Sequence, residues 1–330
     1  MKRCTNCVLP ETFPGISFNE LGVCNFCQNY KGHEHLQEDR QKYRQKFENL
    51  INQYQNQSYY DCLMAYSGGK DSTFTLTILK QRYGLSILAL TFDNGFISPF
   101  AQKNIRNVVD TLGIDLMLIK PRFDLLKKIF IESSRNELYS PKTLERASTI
   151  CTSCMGLVKF ISLKTALEKN IPFITYGWSP GQAPISGSIF KNNPTMVRQM
   201  QQAIKTPLDK IVGDAINNYF LEDTAFKNGT SFPYNVSPLA FLEYNEEKIF
   251  NTIKKLGWDK PEDTDANSTN CLLNSYGNVI HKKRYHFHPY AFEMGKLVRE
   301  GYLKRAEALS KLEVEENIET VQYVKKKLLG

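Results

Sequence analysis

The sequence predicts an α/β fold built on a doubly wound parallel sheet, with a small N-terminal zinc knuckle and a helical C-terminal region. Three observations predict it. Strand-like and helix-like patterns alternate from Tyr60 to about Tyr176, a Ser-Gly-Gly turn joins the first strand of that series to its first helix, and two CxxC pairs precede them both. Alternation on this scale implies right-handed crossovers and helices on both faces of a parallel sheet. Ligands in such sheets bind beyond the strand C-termini, near the point where strand order switches.

A chain of 330 residues can bury a real core, as one large domain or two smaller ones. Its 42% apolar and 23% charged content is ordinary for a globular protein. No uninterrupted apolar run reaches bilayer length and the stretch MKRCTNC lacks a signal-peptide core, so a cytoplasmic protein without membrane contact is expected. The net charge of +8 favours anionic partners, among them ATP, a nucleotide sugar or RNA, without choosing between them. Eight cysteines without an export signal point to metal or redox chemistry more than to structural disulfides.

Residues 1–35 carry Cys4-x2-Cys7 and Cys24-x2-Cys27, two turns that together complete a four-sulfur tetrahedral shell of the kind closed zinc sites use. The alternative is a pair of redox dithiols, but neither pair is set in a strand-to-helix turn. His33 and His35 read as linker residues, since four sulfurs already fill the shell. In the linker 36–57, Leu36, Tyr43, Phe47, Leu50 and Ile51 recur at helical spacing, which predicts an amphipathic helix.

A domain spanning 58–260 opens with YDCLMAYSGGKDS, from Tyr60 to Ser72: a buried strand, a turn with two adjacent glycines, and a helix start near Ser72. Such a turn lets backbone N–H groups converge while the helix start adds unpaired donors, which makes a phosphate cradle. The common NTPase loop would need a glycine where Met64 stands, and GxGxxG is absent. Onward, the pattern reads helix 72–83, strand 86–92, helix 99–112 with Ser98 as cap and Pro99 in its first turn, strand 114–119 and a helix from about Phe123. Asp93, in Thr-Phe-Asp-Asn-Gly at a strand end, is either a ligand contact or a turn-former. Cys151 and Cys154 open a helix over 157–169, followed by a strand to Tyr176 and the turn Gly177-Trp178-Ser179-Pro180-Gly181-Gln182. Cys62 reads as core. Residues 183–236 look like an insertion over the site. The region 261–330 contributes DTDANSTNC, then a basic and aromatic run from His281 to His288, either an anion grip or a solvated loop, and a charged helical tail.

The hexapeptide SGGKDS resembles the signature of PP-loop ATPases, members of the adenine nucleotide α hydrolase-like group that split ATP into AMP and pyrophosphate. The resemblance implies that Ser67, Gly68, Gly69 and Ser72 hold pyrophosphate, that Lys70 offsets its charge, and that Asp71 helps hold Mg²⁺. It also implies adenosine recognition near Asp93 and at Gly177. The order CTSCMG, glycine turn, Pro238-Leu239, Glu-rich helix, Cys271 is similar to the tRNA thiolation branch, in which three cysteines hold a [4Fe–4S] cluster. By that likeness Cys151, Cys154 and Cys271 are candidate cluster ligands; on their own chemistry they read equally as a zinc pair with a core cysteine, or as no metal site.

Taken together, the knuckle, SGGKDS, CTSCMG, GWSPGQ and DTDANSTNC resemble the N-acetyl sugar amidotransferase family of surface-polysaccharide (lipopolysaccharide) biosynthesis. This implies conversion of an acetamido to an acetamidino group on a sugar or nucleotide sugar, with ATP, Mg²⁺ and Zn²⁺, and Lys70 and Asp71 acting in catalysis. It further implies ammonia from a separate glutaminase subunit pair of the imidazole-glycerol-phosphate-synthase type, because the chain shows no GxCxG turn and has Lys2, not cysteine, after Met1. Thiolation of tRNA is the alternative. A zinc-finger nucleic-acid binder is a third reading, without basic and aromatic alternation near the knuckle to support it.

Overall fold

A computed structural model of the chain describes residues 1–227, 229–265 and 267–330. The stretches 183–236 and DTDANSTNC each contain one residue outside that set, Asn228 and Ala266.

Two helices precede the sheet, α1 (Asn25–Gln28) in the knuckle and α2 (His33–Tyr54), whose buried face is Leu36, Phe47, Leu50 and Ile51. The alternation then runs β1 (Cys62–Ala65), α3 (Lys70–Thr77, extended by a π-turn to Arg82), β2 (Ile87–Phe92), α4 (Pro99–Leu112), β3 (Asp115–Ile119), α5 (Phe123–Arg135), α6 (Pro141–Leu144), α7 (Thr149–Glu168) and β4 (Phe173–Tyr176). After it come β5 (Ile189–Lys191), α8 (Pro194–Val212), β6 (Tyr234–Val236) and α9 (Glu246–Lys254). The chain closes with α10 (Leu273–Tyr285), α11 (Ala291–Arg299), α12 (Arg305–Glu313) and α13 (Ile318–Leu329).

The six strands lie in the order β3-β2-β1-β4-β6-β5, parallel except for β5, which runs antiparallel to β6 at the edge. This is the doubly wound sheet expected. Because β1 pairs with β2 on one side and β4 on the other, the switch in strand order falls between β1 and β4, where the Ser67–Gly68–Gly69 turn sits. Side chains alternate across the sheet, so Leu63 of β1 enters the core under α5 and α7 while Cys62 and Met64 enter the core under α2, α3, α4 and α9.

Local chemistry accounts for the element ends. Ser98 Oγ accepts from the Phe100 and Ala101 amides with Pro99 following, and α4 stops at Gly113, φ 60°. The first helix after the phosphate turn opens at Lys70, two residues earlier than the pattern places it, with Gly69 as cap.

The helix α7 has the length and mean hydropathy of a membrane span although Cys, Thr, Ser and Lys interrupt its apolar residues, and 61% of that window is buried inside the protein, against the sheet. One expectation needs correcting. The run from His281 to His288 is not an open basic loop: most of it is the end of α10, with His281 1% exposed and His288 7%. Burial, aided by Arg284 and by Lys282 respectively, lowers their pKa values to about 4 and about 3, so both rings are neutral.

A third core joins the two ends of the chain. Phe13 packs edge-on against Phe26 and Phe287 and stacks on Phe292, and Leu9 and Phe13 share a buried cluster with Ala291, Met294, Leu297 and Leu312. The knuckle therefore packs on α11 and α12.

Candidate active site

The turn from Ser67 to Ser72 is shaped by its glycines and by what packs behind them. Gly68 has φ 77°, and a Cβ there would stand 2.6 Å from the Ile105 side chain; its carbonyl accepts from Trp258 Nε1 at 2.9 Å. Ser67 Oγ accepts from the Gly69 amide and lies 3.0 Å from Ser72 Oγ. Asp71 and Ser72, in the first turn of α3, have amides with no carbonyl partner inside the helix, so donors and the helix dipole face one spot. The Lys70 amide is bonded to Thr269 Oγ1 at 2.9 Å, which brings the DTDANSTNC stretch against the turn. Gly177, at the end of β4, lies so close that a Cβ would collide with the Ser72 backbone.

Lys70 and Asp71 form a tight network. Lys70 Nζ is 2.8 Å from Asp71 Oδ1, 2.9 Å from the Tyr244 hydroxyl and 3.5 Å from Glu246, and Tyr244 donates to Asp71. Burial opposes the Lys70 ammonium, but Asp71, Tyr244 and Glu246 outweigh it and hold its pKa well above the usual lysine value. Tyr244 stands in no motif and Glu246 opens the Glu-rich helix after Pro238-Leu239; the fold brings both to the turn.

The turn opens into a cavity of about 720 Å³ lined by Ser67, Gly69, Lys70, Asp71, Ser72 and Gly177, and also by Cys151, Cys154 and Cys271. Its size suits a small-molecule site. Cys151 and Cys154 sit in the first turns of α7, where Ser148 caps the Cys151 amide. Cys271 reaches them because its stretch bridges to Ile97 and Leu272 bonds to the Phe96 carbonyl, stitching the loop beside the end of β2. Asn94 Nδ2 points at the sulfurs of Cys154 and Cys271, at 3.5 and 3.4 Å. Burial pushes the Cys151 thiol up to about 12 and raises the other two, so without a metal they are neutral thiols. The three thiols line one cavity, but among the described residues only Cys4, Cys7, Cys24 and Cys27 bring three or more ligand atoms within 4.8 Å of one another, so the trio is not drawn together around a single ion.

Asp93 and Gly68 do not line the cavity. Asp93 Oδ1 accepts from the Gly95 amide at 2.9 Å and Oδ2 faces Lys120 at 3.5 Å, the posture of a turn-former.

Glu293 of α11 enters the cavity unannounced by any motif. It accepts a 2.6 Å hydrogen bond from Ser179 Oγ of the Gly177–Gln182 turn. Burial raises its pKa to about 7, with Ser179 opposing and Asp71 adding to the rise.

Away from the cavity, Cys4, Cys7, Cys24 and Cys27 bring all four sulfurs within 4.8 Å of one another. A tetrahedral ion with metal–sulfur bonds near 2.3 Å sets sulfur–sulfur edges of roughly 3.8 Å. Cys4–Cys27 and Cys7–Cys24 lie at 3.8 and 3.7 Å, so the quartet fits a zinc ion. A hydrogen bond from Cys27 holds Cys7 down to about 5, and the Cys7 and Cys24 amides donate to Cys4 Sγ. Arg305 ties the Cys4 and Cys7 carbonyls to α12.

No protein-family model matches the chain. It is 23% identical over 257 residues to an uncharacterised protein of Methanocaldococcus jannaschii, covering 77% of this chain and 73% of that one. Among solved structures, the U34-tRNA thiolase of Methanococcus maripaludis with its [4Fe–4S] cluster superposes at TM-score 0.37 and 15% identity, over 96% of this chain and 91% of that one. The NMN synthetase of Francisella tularensis gives TM-score 0.38 and 14% identity, over 89% and 95% of the two chains. The NH3-dependent NAD synthetase of Campylobacter jejuni gives 0.36 and 11%, over 86% and 99%. Scores this low transfer no residue role or reaction to this chain.

Proposed function

We propose that the chain is an ATP-dependent, AMP-forming amidotransferase that replaces the acetamido oxygen of an N-acetylated sugar or nucleotide sugar with ammonia, giving an acetamidino sugar. The observation that carries this reading is that the phosphate turn and a wall of amides and thiols (Asn94, Asn270, Asn274, Cys151, Cys154, Cys271) face one cavity, so nucleotide and acceptor can meet there.

An amide oxygen is a poor leaving group, and ammonia does not displace it directly. Transfer of AMP to that oxygen, with the α–β phosphate bond breaking and pyrophosphate leaving, gives an imidate whose leaving group is AMP. The donors at Ser67, Gly69 and Ser72 stabilise charge on the departing pyrophosphate, and Lys70 stands beside it. Asp71 would hold Mg²⁺, which supplies further charge neutralisation when bound. Cys4, Cys7, Cys24 and Cys27 would hold Zn²⁺ in a structural role, and Cys151, Cys154 and Cys271 would hold a [4Fe–4S] cluster if one is present.

That same cysteine trio favours tRNA thiolation as the second reading. Against it stands Gly177-Trp178-Ser179-Pro180, where the thiolation branch has a His and paired acids. Mass spectrometry after incubation with ATP, Mg²⁺, ammonium and N-acetylated nucleotide sugars separates them. Exchange of O for NH lowers the substrate by about one mass unit, with AMP released. Release of ADP, or an unchanged sugar beside a tRNA that gains sulfur, overturns the proposal.

A further inference from the structure

The charges lining the cavity do not balance. Its acidic side chains are Asp71 and Glu293, and its basic ones are Lys70, Arg146 and Lys159. Lys70 is matched by Asp71 and Glu246. Among the described residues, no carboxylate lies within ion-pair distance of Lys159 or Arg146.

Lys159 is the more telling of the two. It stands on α7 two turns beyond Cys151, on the face shared by Cys151 and Met155, with its ammonium 4.9 Å from the centre of the Trp178 ring. Trp178 itself stacks on Tyr176 at 4.9 Å; Tyr176 ends β4 and Trp178 follows Gly177, which lies against Ser72. The ammonium therefore has an aromatic ring for company within the cavity that the phosphate turn enters, and makes no hydrogen bond to another described residue. Arg146 stands more exposed at the rim, its guanidinium 4.6 Å from the centre of the Phe292 ring. Lys159 is half-buried, so its ammonium keeps part of its hydration but has no counter-charge in the protein, and an anionic ligand would supply one. Burial lowers the Lys159 pKa.

We propose that Lys159, with Arg146 at the rim, is the binding site for an anionic group of the acceptor, a phosphate or a carboxylate, so that the acceptor is an acidic sugar or a nucleotide-linked one and not a neutral sugar. This rests on the amidotransferase reading and narrows its substrate class. Lys159 acts in recognition: it fixes where the acceptor's charged end lies along α7, and so which acetamido group is presented to the nucleotide.

The test is calorimetric binding to the full-length chain, with the ATP site saturated by a non-hydrolysable ATP analogue. Three N-acetylated probes serve: UDP-N-acetylglucosamine carries phosphate, N-acetylneuraminic acid carries carboxylate, and N-acetylglucosamine is neutral. At least one anionic probe is expected to bind roughly tenfold or more tighter than the neutral one, and which of the two does so identifies the source of the charge. Lys159→Met abolishes that preference, Lys159→Arg retains most of it, and affinity for the ATP analogue stays within about twofold in both. Retained analogue binding also shows that the variants are folded. The proposal is overturned if the neutral probe binds as well as the anionic ones, if none of the three binds, or if Lys159→Met weakens the ATP analogue more than it weakens an anionic sugar. Those results leave the adenylation chemistry standing, which fails separately if ATP does not bind or yields ADP.

Discussion

Glu293 is where a single residue carries the most consequence and where the sequence is least legible. Nothing near Ala291-Phe-Glu-Met signals chemistry, because its role depends on α11 packing it beside Ser179 and within the field of Asp71. SGGKDS is legible for the opposite reason: turn, donors and helix start are contiguous in the chain. Asp93 stands between these cases, since the sequence leaves turn and ligand both open and the structure spends both carboxylate oxygens on the turn and on Lys120. A carboxyl whose folded pKa is raised from 4.5 to about 7 binds its proton more tightly folded than unfolded. Its contribution to stability is complete below the ordinary carboxyl pKa and is lost as pH rises through about 7. Glu293→Gln removes that penalty, so the variant should gain on the order of 3 kcal/mol over the native chain at about pH 8 and little at about pH 4. Thermal melts across this range check it: parallel Tm curves for the two proteins would show that Glu293 does not titrate there.

At the scale of elements, patterns confined to one segment were readable and those fixed by neighbours were not. The cap and proline of α4 mark its start, and the CxxC spacing brings four sulfurs together. By contrast, β5 and β6 are three residues each, too short to show a period, and exist because they complete the sheet edge beside β4. The end of α10 misleads because its basic residues serve tertiary contacts: Arg284 donates to the Ser134 and Asn136 carbonyls and Lys282 pairs with Glu316. The knuckle gives an element-scale prediction. Phe13 packs on Phe292, one residue before Glu293, and Arg305 holds the Cys4 and Cys7 carbonyls, so ordering of the four-cysteine loop is coupled to α11 and α12. Stripping metal with a strong chelator should raise hydrogen exchange in residues 287–312 along with residues 1–30, while β1 and β2 stay protected. Exchange confined to residues 1–30 would show that the knuckle is an independent appendage.

For the whole molecule, the proposed amidotransferase reading raises the question of where the nitrogen comes from. Release of ammonia from glutamine by a cysteine needs a thiolate beside a base. Of the eight cysteines, four form the quartet, Cys62 is sealed beneath the sheet with its thiol pushed up to about 12, and the remaining three are the neutral thiols of the cavity. The described cavity lining contains no histidine, and His281 and His288 are buried elsewhere with their pKa values driven down. In the cavity itself no histidine stands among the described residues beside these thiols, and the carboxyl of Glu293 there is engaged by Ser179. The isolated protein should therefore form an amidinated product with ATP and ammonium salts and none with ATP and glutamine. Because free ammonia is the reactive species, its rate at fixed total ammonium should climb about tenfold per pH unit below the ammonium pKa, until another step limits turnover. Turnover on glutamine without a second protein would refute the division of labour. Glutamine-dependent turnover that returns only on adding a separate glutaminase would place the missing nucleophile in that partner.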